Sequence, residues 1–312
     1  MVPKIVQFLI LLYLFTVTFA FNEEEIALLK WKATFKNQTN SLLASWTQSS
    51  NACMDWYGVM CLNGRVSKLD IQGAHVIGTL YDFPFSTLPF LEYVDLSVNN
   101  LSGTIPPEIS NLTNLVYLDL HTNMISGTIP FQIGSLANLQ NINIYDNLLN
   151  GFIPASLSYL RSLTSLDLGT NSLNGFIPAL LGNLTSLSIL YLQENNLSGS
   201  TPEEIGYLRS LSQLVLAKNS LSGVIPASLG NLAKNSLSYL DFSTNFLSGS
   251  IPTSLGNLNV FFFWQLEKLA MDVSPHSNNL TEKIPLSFCN LIKLEVVYLG
   301  KQLEGRNSAV SS

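Results

Sequence analysis

The stretch NNLSGTIPPEIS, residues 99–110, carries a glycine, two adjacent prolines and small polar residues around only three apolar side chains, Leu101, Ile105 and Ile109. Glycine and proline ordinarily interrupt helices and strands. Yet the phrase returns as NMISGTIPFQIG (123–134), NLLNGFIPASLS (147–158), NSLNGFIPALLG (171–182), NNLSGSTPEEIG (195–206), NSLSGVIPASLG (219–230) and NFLSGSIPTSLG (245–256). Repetition at a fixed period is read before any single element, because it sets the architecture. Repeat units start at Leu91, Leu115, Leu139, Leu163, Leu187 and Leu211, 24 residues apart, and at Leu237 after 26. Each follows LxxLxLxxNxLxGxIPxxLxxL. The Asn column (99, 123, 147, 171, 195, 219, 245), the Gly column (103 to 249) and the Pro column (106 to 252) have no exceptions across these seven units.

The columns have physical jobs. The LxLxx segment alternates as a short strand does, so Leu118 and Leu120 are expected inward and Asp119 and His121 outward. The column asparagine both donates and accepts, so stacked asparagines can satisfy turn backbone groups. Glycine permits a tight corner or a close approach, and proline fixes an extended backbone where no donor is needed. Ile105 and Leu112 then refill the core. One such coil cannot bury its own apolar edge, whereas stacked coils bury a continuous one. The opening phrase is therefore the return half of a coil, with its breakers as corners.

Composition agrees. The 312 residues are 47% hydrophobic and only 12% charged, with net charge −6, pI near 5.0 and mean hydropathy +0.28. A large core is available, and no basic surface exists to neutralise phosphates, so nucleic acid is excluded as a partner. Lys4, the apolar run Ile5–Val17 and Thr18-Phe19-Ala20 read as a secretory signal peptide spanning 1–20. No later stretch approaches the roughly 18 apolar residues of a membrane helix, so no span is expected after the signal peptide. The mature chain is expected to be secreted or at the cell surface, in the apoplast or on the outer side of the plasma membrane.

The pattern resembles the plant-type leucine-rich repeat, whose LxGxIP segment sets it apart from other classes. The resemblance covers about Val66 to Leu299. The preceding segment resembles the N-terminal cap of plant receptor-like kinase and receptor-like protein ectodomains. Ile26-Ala-Leu-Leu-Lys-Trp-Lys matches the amphipathic cap helix, Leu42-Leu-Ala-Ser-Trp46 a second short one, and Cys53-x2-Trp56-x-Gly58-Val59-x-Cys61 the cysteine motif. Asn22 followed by Glu25 also reads as a helix N-cap. The resemblance implies an α/β repeat fold: a right-handed curved leucine-rich-repeat solenoid, with short parallel strands on the concave face and a helical N-terminal cap. It implies a cap over 21–65, regular repeats over 66–260, degenerate repeats over 261–299 and a frayed tail over 300–312. In the oxidising secretory context, Cys53 and Cys61 are expected as the family's cap disulfide, leaving Cys289 as the odd thiol.

Catalysis finds no support. His75, His121 and His276 lack a second ligand at metal spacing, Glu203-Glu204 lies on a repeat corner, and no GxSxG, Gly-rich phosphate loop, HRD or DFG occurs. No cofactor and no metal are expected. The function is binding, and the chain reads as either a truncated receptor ectodomain or a short secreted repeat protein; the resemblance implies the first, the ectodomain of a plant cell-surface receptor in defence or developmental signalling. It implies a peptide, protein or microbial ligand and a co-receptor kinase as partner. The alternative is a secreted protein similar to polygalacturonase inhibitors, but those carry paired cysteines at both caps. Where outward columns depart most from the repeat's own default, around Asn141 to Lys218, Tyr145, Asp146, Tyr191, Gln193, Glu194, Gln213 and Lys218 are the candidate ligand contacts. Sequons at Asn37, Asn100, Asn111, Asn183, Asn196 and Asn279 are candidate sites of N-linked glycans.

Overall fold

A computed structural model describes residues 23–36, 41–232, 237–257, 263–266, 278–280 and 296–299. The signal peptide, Asn22, the sequon at Asn37, residues 267–277, Cys289 and the tail 300–312 lie outside the described residues.

The cap is helical. Helix α1 (23–33) turns Leu28 and Trp31 into the interior, both without exposed surface, and Trp31 Nε1 donates to Thr79 O at 2.9 Å. Glu24 is buried on α1, where its carboxylate accepts from Arg65 Nε at 2.7 Å and Val66 N at 2.8 Å, which ties the helix to the first strand of the array. A 3-10 turn, Leu42–Ser45, follows; Lys32 Nζ donates to its Leu43 carbonyl and to Trp46 O. Helix α2 (Ala52–Asp55) is N-capped by Asn51, and Trp46 stacks on Trp56. Strand β1 (Val59–Leu62) pairs antiparallel with β2 (Arg65–Asp70). Cys53 and Cys61 form the expected disulfide, with Cα atoms 5.3 Å apart.

The chain divides into two compact units, 1–148 and 149–312. In the first, β2 continues into parallel strands Tyr93–Asp95, Tyr117–Asp119 and Asn141–Asn143, in register at one coil per strand, as in Val94↔Leu118↔Ile142. In the second, Ser165–Asp167, Ile189–Tyr191, Gln213–Val215 and Tyr239–Asp241 pair the same way. The strands at the far end, Phe263–Leu266 and Val296–Leu299, pair in parallel with each other.

Each coil also holds a second strand, which breaker logic did not foresee. Asn100–Gly103 lies inside the opening phrase and pairs in parallel with Ile77–Thr79 before it and Met124–Thr128 after it. In the second unit, strands from Leu148–Phe152 to Phe246–Gly249 repeat this ladder. The column glycine sits at the strand's end, with φ between 73° and 80° in all seven units, so it turns the chain out of the strand instead of abolishing it. The column proline then holds an extended backbone, as Pro106 does at φ −68°, ψ 146°, and starts a 3-10 turn such as Pro107–Asn111.

The asparagine column works as its chemistry implies. Asn99 Nδ2 donates to the carbonyls of Leu96, Ser97 and Ile71, while its Oδ1 accepts from Val76 N. The same four-way set recurs at Asn123, Asn147, Asn195, Asn219 and Asn245. Each side chain thus links its own turn to the coil before it, at two separate points, and buried backbone groups are paired.

One sequence expectation needs correction. Asp119 points away from the leucine core, but it is 4% exposed, not solvated. Neighbouring columns of the same face cover it.

Candidate ligand-binding face

The outward side chains of the LxL strands form columns, one residue per coil. In the first unit the third-position column is Lys68, Tyr93, Tyr117 and Asn141. The Tyr93 and Tyr117 rings stack at 4.3 Å with an interplanar angle of 2°, and Lys68 Nζ sits 4.1 Å above Tyr93. Neither tyrosine was singled out in sequence; two aromatics one period apart were the available signal.

The fifth-position column closes strand ends. Asp95 Oδ1 accepts from Ser97 N at 3.0 Å and Ser97 Oγ at 2.6 Å. Asp119 Oδ1 accepts from His121 N and contacts His121 Nδ1 at 2.6 Å, while its Oδ2 accepts from Tyr117 Oη and Asn143 Nδ2. Asp167 and Asp241 cap Gly169 N and Ser243 N likewise. These acids are turn caps. Burial pushes the Asp95 carboxyl above its usual range against the pull of the Ser97 hydrogen bonds, and burial raises the Tyr117 hydroxyl, with Asp119 reinforcing it.

Of the candidate contacts, Tyr145 and Asp146 belong to the first unit. Tyr145 N donates to Asn143 Oδ1 at 3.2 Å, and both residues are half-buried on the outward side. The other five belong to the second unit and come together there. Tyr191 Oη donates to Gln213 Oε1 across adjacent strands, and burial beside Asp167 raises the tyrosine's pKa. Lys218 Nζ donates to Glu194 Oε1 at 2.6 Å and Thr170 Oγ1 to Glu194 Oε2 at 3.3 Å; the lysine's hydrogen bond holds the Glu194 carboxyl below its usual range. Gln193 lies over Gly169, where a Cβ would strike its side-chain amide. Gln193 Oε1 is buried without a hydrogen-bond partner.

Backbone geometry qualifies three candidates. Asp146, Glu194 and Lys218 have φ of 56°, 55° and 54°, as do their column-mates Val98, Thr122, Thr170 and Thr244 within a few degrees. The residue before each column asparagine must turn left-handed, a conformation most side chains resist. These positions are conformationally demanding, not free of structural duty as their exposure in sequence suggested.

Among the described residues, the sequon asparagines lie in second-sheet strands or on the turns. Asn100 and Asn196 open second-sheet strands and Asn111 and Asn183 end 3-10 turns, all four exposed. Asn279 is in the short strand Asn279–Leu280, described by its backbone.

Residues 21–62 match the leucine rich repeat N-terminal domain family, and 90–112, 114–136, 138–160, 161–221 and 236–258 match leucine rich repeat families. Together these cover more than half the chain. This chain is a leucine-rich-repeat protein. The leucine-rich-repeat proteins it is similar to include plant receptor kinases. MDIS1-interacting receptor like kinase 2 of Arabidopsis thaliana is 52% identical over 88 residues, 27% of this chain and 8% of the kinase. The ectodomain of the A. thaliana receptor kinase GASSHO1/SCHENGEN3, solved with CASPARIAN STRIP INTEGRITY FACTOR 2, aligns with a TM-score of 0.78 and 36% identity. That alignment covers 86% of this chain and 31% of the ectodomain. The Arabidopsis receptor kinase HAESA, solved with the peptide hormone IDA and the co-receptor SERK1, aligns with a TM-score of 0.67 and 31% identity over 85% of this chain and 47% of HAESA's. The leucine-rich-repeat chain therefore spans under half of these receptor structures. Among its described residues, no helix is long and apolar enough to cross a membrane.

Proposed function

We propose that this protein is an extracellular ligand-binding ectodomain that holds an extended peptide along the outward face of its LxL strands in the second unit. The observation that carries this reading is the break in the fifth-position column. Asp167 and Asp241 cap their own turns, but the two coils between them carry Tyr191 and Val215, which make no such cap. The acids have been given up where a tyrosine, Val215 and Ile189 make an apolar strip, bordered by Gln213, Gln193 and the Glu194–Lys218 pair. An extended peptide suits such a strip, because apolar area supplies affinity and bordering amides supply direction. Gln193 Oε1, buried and unpaired, favours a ligand that brings an N–H donor. Tyr145 and Asp146 carry the same proposal for their own coil.

The receptor role is inferred from the peptide-bound neighbours, and the SERK1 complex of HAESA favours a co-receptor kinase as the second partner. Glycans at Asn100, Asn111, Asn183 and Asn196 leave the LxL face open, since none of the four lies on it.

The test uses substitutions that other coils already carry: Tyr191→Asn (as Asn143), Glu194→Thr (as Thr170) and Gln213→Ser (as Ser165). Peptides selected from a displayed library on the parent protein should lose binding to the triple variant by at least about a hundredfold, the loss of two or three interface anchors. Undiminished binding to a variant with parental circular dichroism places the ligand elsewhere.

A further inference from the structure

One coil of the second unit departs from its neighbours at several positions that meet in space. Where the flanking coils read Gly175-Phe176-Ile177-Pro178-Ala179-Leu180 and Gly223-Val224-Ile225-Pro226-Ala227-Ser228, this coil reads Gly199-Ser200-Thr201-Pro202-Glu203-Glu204. Ser200 is small between two large side chains in its column, Phe176 and Val224, which are 70% and 57% exposed. The result is a trough of about 680 Å³ on the second-sheet side, lined by Phe176, Ser200, Thr201, Glu203, Glu204 and Val224 among others.

Thr201 replaces the isoleucine that fills this column in the other regular coils, and it is only 4% exposed. Its Oγ1 has no hydrogen-bond partner. A buried, unpaired hydroxyl is a cost that isoleucine avoids, so folding does not explain its presence. Glu203 and Glu204 are exposed, and neither carboxylate takes part in an ion pair among the described residues. A lowered apolar floor with an unmet polar atom, two apolar walls and two uncompensated carboxylates thus occupy one place.

We propose that this trough docks an arginine side chain of a partner polypeptide, at a surface separate from the LxL face. The charge complementarity chooses a cation. The apolar walls choose one with an aliphatic stem, which can bury its methylenes between Phe176 and Val224. The pair of carboxylates chooses guanidinium over ammonium: its planar fork offers five donors, enough for both, and it stacks over a Phe ring. The inference is independent of the peptide site and stands or falls without it.

The test titrates the ¹⁵N-labelled full mature chain with Ac-Gly-Arg-Gly-NH2 and with the neutral citrulline analogue, following amide shifts of Gly199, Ser200, Thr201, Glu203 and Glu204. The expected result is saturable shifting in the millimolar range by the arginine peptide, with the citrulline peptide at least about tenfold weaker. The Glu203→Gln/Glu204→Gln double variant and Ser200→Phe, which fills the trough, should each weaken arginine binding by about tenfold. Ser200→Phe installs the residue that Phe176 supplies at the same exposed column position and should melt no lower than the parent, so a loss of binding is not a loss of fold. Equal shifts from the citrulline peptide, or arginine binding unchanged in both variants, overturns the proposal. So does a concentration-dependent dimer that Ser200→Phe abolishes, since a second copy would then be what covers the trough.

Discussion

Asn219 Nδ2 donates to the carbonyl oxygen of Leu192, one coil earlier in the chain, at 2.9 Å. The same amide serves Leu216 O and Ala217 O, and its Oδ1 takes Leu197 N at 3.0 Å. One side chain therefore satisfies buried backbone groups in three places. Asn219→Ala should cost about 2–4 kcal/mol, since buried donors and acceptors lose their partner without gaining water. Urea denaturation measures the loss, and hydrogen exchange at Leu197 should accelerate ahead of the first unit's amides, because a stack of coils opens locally.

Asp95 gives a pH dependence of known sign. Burial raises its folded pKa above the unfolded value, so its ionised form is the disfavoured one. Its contribution is most favourable below the unfolded pKa and falls away as pH rises through the folded pKa. Asp95→Asn keeps an acceptor for Ser97 N and removes the charge, as Asn143 does in the same column for Tyr145 N. The variant should be as stable as the parent or more so at neutral pH, with the difference shrinking toward pH 4. Melting temperatures across that range test it, and a destabilised variant at pH 7 contradicts it.

Two glycines separate conformational need from space. Gly103 has φ 80°, and a Cβ there meets nothing nearer than Thr79 Cγ2 at 3.7 Å. Gly58 has φ 73°, and its Cβ would collide with the Asp70 backbone carbonyl. Gly103→Ala should cost about 1–2 kcal/mol, the left-handed penalty alone. Gly58→Ala should cost clearly more and prise β1 from β2, where Asp70 N donates to Gly58 O at 2.7 Å. Thermal melts of the two variants, side by side, decide it.

The Cys53–Cys61 bond closes a loop with a sequence separation of 8. Replacing both cysteines with serine should lower cap stability by about 2–3 kcal/mol on the loop-entropy estimate. Peptide mapping of unreduced protein should recover the two cap cysteines linked; finding either joined to Cys289 contradicts the pairing.

Much of this was legible in sequence because a repeat states its rules many times over. Three columns without exceptions identify the core face, the asparagine ladder and the corners, and the cap motif identifies the disulfide. The second strand of each coil was not legible. A single Leu-Ser-Gly segment has no strand signal, and it becomes a strand only because an identical neighbour lies one coil away to pair with. The candidate contacts were legible as departures from a default, but not their surroundings: nothing in one dimension shows that Asp95 and Asp119 are capped and covered, or that Glu194 and Lys218 occupy left-handed backbone.

Periodicity alone determined the coil, its inward leucines and its stacking partner, since each coil's apolar edge is buried only by a copy of itself. Tertiary structure decided what the columns do once stacked. Ser200 is unremarkable in its own coil, and it shapes a trough only between Phe176 and Val224. Tyr93 and Tyr117 are ordinary outward residues until one strand's register sets their rings face to face. Residues a full period apart touch only after the coils close, and those contacts, not the residues singly, define the surfaces a ligand meets.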